Sequence, residues 1–161
     1  MKRAAVCVAL AALVAVSGAA ANPPRHGVLV PGRSLGGIQL GDSPATVRAL
    51  WGRFYGVCDG CRVRTWYFTY KKFTQQGAAV EFRHSRVDAV YTVWQPPGWR
   101  SDDGLVLGAP FRAPPSLQRI DCSTYTAFVR RTGNAVTSYY VLAGKLWGFG
   151  LQRPDAAICR S

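Results

Sequence analysis

Acidic residues are scarce in this chain: 8 Asp and Glu stand against 20 Lys and Arg in 161 residues, for a formal net charge of +12. Glu81 is the sole glutamate, and His26 and His84 are the two histidines. No second carboxylate stands at a spacing that points to a glycosidase pair. Glu81 and His84 invite an acid–base reading, but His84 falls at a predicted hairpin tip, where exposure accounts for it. No His-x-x-x-His accompanies the cysteines, so no zinc site is expected. Asp102 and Asp103 lack the further oxygen ligands of a calcium loop and read as a turn. The expectation is no metal and no cofactor. Long apolar runs are also missing beyond the first two dozen residues, so no later segment is expected to span a membrane.

That first stretch, MKRAAVCVALAALVAVSGAAANPP, has two basic residues (Lys2, Arg3), an apolar run from Ala4 to Val16, and small residues ending Ala19-Ala20-Ala21. The pattern is that of a secretory signal peptide cleaved after Ala21, with residues 1–21 removed. Cys7 lies inside the apolar run rather than at the junction, which argues against a lipoprotein. The expected destination is secretion, or the periplasm and cell envelope. Losing Lys2 and Arg3 leaves 18 basic and 8 acidic residues in the mature chain, a net +10, and all but three of the bases are arginine. Such a surface is drawn to polyanions: nucleic acid, anionic lipid headgroups, acidic envelope polymers or an acidic protein. The bases are scattered, never more than two in a row, unlike a disordered polybasic arm.

Four cysteines remain: Cys58, Cys61, Cys122 and Cys159. An even count in an exported chain implies two disulfides with three possible connectivities. The pairing Cys58–Cys61 and Cys122–Cys159 is favoured, because the first two close a tight loop and the last then clamps the C-terminal tail. Cys58-Asp59-Gly60-Cys61 also has the spacing of a thiol–disulfide oxidoreductase, whose helix N-terminus lowers the thiolate pKa. Here Arg62 to Phe68 read as strand, leaving only Arg62 and Arg64 to favour a thiolate, so the staple is the preferred reading. Gly32-Arg33-Ser34-Leu35-Gly36 matches a serine nucleophile pattern, with Asp59 and His84 following in order, but the chain is too short for the large α/β sheet that chemistry uses.

The mature chain reads as two degenerate tandem copies of one pattern, residues 22–96 and 97–161, within one small domain or as two halves. Gly37-Ile38-Gln39-Leu40-Gly41 with Pro44 recurs as Gly104-Leu105-Val106-Leu107-Gly108 with Pro110. In the first copy Ser43 caps a short helix through Ala45–Trp51, stopped by Gly52. In the second, Pro110, Pro114 and Pro115 spoil most of the helix. Aromatic and β-branched strands follow at Trp66–Tyr70 and Tyr125–Val129. Hairpins follow these, turning at His84-Ser85 and at Ala143-Gly144. Gln95 to Gly104 is the connecting loop. A short helix with antiparallel hairpins in each half gives an α+β fold class.

Alternation places Trp66, Phe68 and Tyr70 on one strand face, bordered by Arg64, and Trp147, Phe149 and Leu151 on another, with Gly148 and Gly150 opposite. Core packing is the first reading of both stripes. The functional one is an aromatic and Arg-rich contact surface at Arg64, Trp66, Phe68, Tyr70, Trp147 and Phe149, with the paired glycines leaving a strip for a ligand or another backbone.

Leu40-Gly41-Asp42-Ser43, with Val47 and Leu50-Trp51-Gly52 a helix later and three strands after that, resembles the domain shared by SmpA/OmlA-type outer-membrane assembly lipoproteins and the β-lactamase inhibitory proteins. The chain departs from the pattern in lacking a lipid-anchor cysteine and in the prolines of its second copy. The resemblance implies a non-enzymatic protein that presents a sheet face to another protein, and it transfers no functional residue. The expected function is therefore binding of a protein partner. The alternatives are an anionic envelope polymer or nucleic acid, and the Cys58/Cys61 oxidoreductase.

Overall fold

The computed structural model describes residues 25–70 and 76–160. The expected signal peptide lies outside the described residues, as do Lys71 and Lys72.

Ser43 caps the helix α1 (Pro44–Trp51) by accepting from the Thr46 N–H at 3.1 Å, with Pro44 in its first turn and Gly52 ending it. Among the described residues there are eleven strands: β1 (Val28–Val30), β2 (Ser34–Leu35), β3 (Gly56–Val57), β4 (Arg64–Thr69), β5 (Gly77–Arg83), β6 (Arg86–Val93), β7 (Arg100–Ser101), β8 (Gln118–Asp121), β9 (Thr126–Thr132), β10 (Ala135–Leu142) and β11 (Lys145–Gln152). Strands β3 to β6 and β8 to β11 form one eight-stranded antiparallel sheet in the order β3-β4-β5-β6-β11-β10-β9-β8. A small sheet β2-β1-β7 lies apart, with β1 parallel to β7.

The α+β expectation is thereby corrected to a sheet-rich fold: 46% of the described residues are strand and 6% helix. Among the described residues α1 is the one helix. The 105–117 linker forms none because Pro110, Pro114 and Pro115 lack the N–H a helix needs. Its chain runs extended instead. Gly108 N–H donates to the Leu146 carbonyl, and the Leu146 N–H donates to the Ala109 carbonyl.

The hairpin turns form where expected. His84 and Ser85 have φ of 50° and 57°, and Ala143 and Gly144 have 49° and 74°, the left-handed pairs that match strand twist. One side of the large sheet, the helix face, packs Trp66, Phe68, Val80, Phe82, Val90, Phe149 and Leu151 against Val47 and Trp51 of α1 and against Leu29, Leu35 and Trp99 around the small sheet. Trp51 meets Phe68 edge-on at 5.2 Å and Trp99 at 6.1 Å. Over the second half the cover is the extended linker, whose Phe111 ring lies 5.8 Å from Tyr139 and 5.6 Å from Phe128. Leu105, Leu107, Phe111 and Leu117 of the linker are only partly buried, so it closes its half less completely than Val47 and Trp51 of α1 close the first.

Candidate binding face

The opposite side of the sheet, the tail face, has a floor of small residues. Ala79 and Ala89 of the first half and Ala127 and Ser138 of the second are buried there, with Gly148 and Gly150 between them. The glycine strip is not open to a ligand. The Tyr140 ring lies across it, close enough that a Cβ on Gly148 would stand 3.1 Å from the ring and one on Gly150 2.5 Å from the hydroxyl.

After β11 the chain turns back over this face. The Arg153 N–H donates to the Asp88 carbonyl at 3.0 Å. The Asp88 carboxylate is almost fully buried, with Arg83 at 3.3 Å and Arg153 at 4.0 Å, and Arg83 also holds Asp155 at 2.6 Å. Burial pushes the Asp88 pKa above the usual carboxylate range, with Arg83 opposing. The far end of the tail is clamped by the Cys122–Cys159 disulfide, Cα to Cα 5.5 Å. There the Tyr125 hydroxyl donates to the Arg160 carbonyl at 3.2 Å and accepts from its N–H.

The Arg160 side chain then lies on the face itself. Its Nη1 donates to Glu81 Oε1 at 2.5 Å, and its Cζ sits 4.2 Å from the Tyr91 ring centroid, a cation–π contact. Burial opposes the guanidinium charge, but Tyr140, Glu81 and Tyr91 more than offset it and raise the pKa. Tyr91 is likewise held protonated, first by burial and then by Glu81.

Beyond Arg160 the face stays open at one end. Trp94 is 56% exposed just past β6, edge-on to Trp147 at 6.0 Å, and Trp147 lies 5.9 Å from Tyr125. Tyr67 and Val93 pack beside them. Trp94 and Gln95 both sit in the left-handed region, φ 54° and 46°, which bulky residues adopt only where the surroundings hold them. Gln76 contributes by donating to the Gln95 carbonyl at 3.0 Å.

Of the residues expected at the contact surface, Trp147 alone is brought to this face. Trp66, Phe68 and Phe149 are fully buried on the helix face and so are withdrawn from any partner. Trp147 parts from Phe149 because the register shifts between Tyr140 and Val141, giving β11 an extra residue that turns the indole over. Arg64 is exposed, 5.3 Å over the Trp66 ring, and Tyr70 is part-buried, accepting from Trp99 Nε1 at 2.6 Å. Trp94, Tyr91 and Arg160 were not picked out by alternation. The signal for Trp94 was a large aromatic at a strand end directly before Gln95-Pro96-Pro97.

The other candidates are placed plainly. Cys58 and Cys61 are bridged, Cα to Cα 5.7 Å, in the loop between β3 and β4, and a strand rather than a helix follows them. Both bridges are thus those favoured from the sequence. Ser34 pairs with Val30 on β2, away from any strand-to-helix elbow. Asp103 accepts from the Ser101 hydroxyl in a turn. Among the described residues no three His, Cys, Asp or Glu side chains group as a metal site, and no helix is long and apolar enough to cross a membrane.

No protein family profile matches the chain, and no curated protein matches it. Two solved structures are similar in outline. One is an extracellular protein containing an SCP domain from Bacillus anthracis, at 10% identity and TM-score 0.44, covering 71% of this chain and 44% of that one. The chain therefore spans less than half of that protein. The other is a DUF4309 family protein, YjgB, from Bacillus subtilis, at 13% identity and TM-score 0.44, covering 70% of this chain and 78% of that one.

Proposed function

We propose that the chain is an exported, disulfide-stapled, non-enzymatic protein that binds a protein partner through the open end of the tail face. The observation that carries this reading is Trp94, exposed beside Trp147 and Tyr125 on a left-handed backbone. An exposed indole set edge-on to a part-buried one and bordered by buried aromatics has the make-up of an interface anchor, where a few Trp and Tyr side chains carry most of the binding energy. Two disulfides among the described residues support an oxidising destination. The resemblance to the β-lactamase inhibitory proteins leads to the same reading, but neither similar structure belongs to that group, so the argument rests on the face.

The test is capture from the exported fraction of the producing organism on immobilised protein, compared with W94A and W147A at low and high salt. The expected result is one retained protein, little changed by salt and lost by tenfold or more with either substitution. Retention that collapses with salt and ignores both tryptophans would instead support a polyanion partner drawn by charge.

A further inference from the structure

A second surface, at the β3 edge of the large sheet, differs in chemistry from the tail face. Between Arg48 and Arg64 the chain carries four arginines (Arg48, Arg53, Arg62, Arg64) and one acid, Asp59. The same stretch holds Leu50, Phe54 and Val57, which are 49%, 71% and 52% exposed. Phe54 is the most exposed large apolar side chain among the described residues.

Arg48, Arg64, Tyr55 and Val57 meet at one corner around Trp66, and Leu50, Arg53, Phe54 and Arg62 lie within two residues of them along the chain. Arg48, from the last turn of α1, lies 5.5 Å over the Trp66 ring, and Arg64, from β4, lies 5.3 Å over it. Tyr55 stacks on Trp66 at 3.9 Å, and Val57 on the edge strand β3 stands directly opposite Trp66 in register. The Cys58–Cys61 bridge pins the loop between them. Among the described residues none of the four arginines has a carboxylate within 4.0 Å, whereas Arg83, Arg119, Arg153 and Arg160 do. This stretch thus combines protruding apolar side chains with guanidinium groups that have no carboxylate partner.

We propose that this corner docks on a bilayer surface bearing anionic phospholipid headgroups, with Phe54 entering the headgroup–acyl boundary and the arginines holding phosphates. Apolar side chains standing out from a basic surface are the make-up of an interfacial anchor, and each arginine near an anionic leaflet adds attraction. The occupant follows from charge complementarity and from shape. The apolar groups project from a helix end and an edge strand instead of lining a groove, so they fit a deformable apolar layer.

The test uses the exported, oxidised protein and sedimentation with vesicles of pure phosphatidylcholine or of phosphatidylcholine with about a third phosphatidylglycerol. The expected result is binding at least tenfold tighter to the anionic vesicles. F54S should weaken it about tenfold, and R53Q/R62Q about tenfold or more. R130Q/R131Q, which removes the same charge from the β9–β10 hairpin, should change it less than twofold. These side chains are exposed, so thermal unfolding of all variants should match. Equal binding to both vesicles overturns the proposal, as does equal loss from the two arginine pairs. If F54S is silent and poly-glutamate binds with the same dependence on Arg53 and Arg62, the corner reads acidic protein and not a bilayer. Each outcome is independent of Trp94 and Trp147.

Discussion

A Cβ at Gly150 would lie 2.5 Å from the Tyr140 hydroxyl and 2.9 Å from Gln152 Oε1, both buried in the middle of the sheet. G150A should therefore cost about 1–3 kcal/mol by overpacking. G56A, where nothing lies within 4 Å, should cost far less. Denaturant midpoints of the two variants check this. At Arg160 the stakes come from charge. Its side chain and that of Glu81 are 15% and 14% exposed, and removing one partner of a pair this buried strands the other. R160A should cost about 3 kcal/mol, and R160A/E81A clearly less than the two single losses together. Asp88 gives a pH signature. Its folded pKa is raised, so its contribution to stability is full below the ordinary carboxylate pKa and is lost as pH rises through the raised value. Unfolding free energies from about pH 3.5 to 7 should carry that downward component in the wild type and lose it in D88N.

Elements set by local chemistry were legible in the sequence. Ser43-Pro44 starts α1, Gly52 stops it, and the two hairpin turns fall at His84-Ser85 and Ala143-Gly144. Elements set by distant pairing were not. Strand β1 is three residues long and sits between its neighbour β2 and the distant β7, where Leu29 pairs in parallel with Ser101 far along the chain. The bulge that turns Trp147 away from Phe149 depends on its match to β10, which a period-two count along β11 alone does not contain. Trp66, Phe68 and Phe149 are core, the first reading of the two stripes, and Trp147 alone leaves it. Trp66 and Phe68 read the same whether α1 covers them or solvent does, and only packing decides. The tail is the element with the sharpest test. Cys122–Cys159 spans 37 residues and by chain entropy contributes about 3–4 kcal/mol, against about 2 for Cys58–Cys61, which spans 3. C122S/C159S should speed amide exchange through residues 153–160, and C58S/C61S should leave that segment protected.

At the scale of the whole molecule, two four-stranded meanders meet where β6 pairs with β11, and the pairing of Ala89 with Gln152, Val90 with Leu151 and Tyr91 with Gly150 makes one continuous sheet. One side of it is closed by α1, the small sheet and the proline-rich linker. The other is crossed by the tail, which leaves Trp94, Trp147 and Tyr125 at the open end of that face. The central claim is that this open end is where a partner protein sits. The most direct measurement is photo-crosslinking from a benzophenone side chain placed at position 94, compared with one at Arg119 on the far edge strand β8. The account predicts a single protein adduct from position 94, retained in high salt and absent from position 119. Adducts of equal yield from both positions, or none from position 94 while the protein is still retained by its partner, would contradict it.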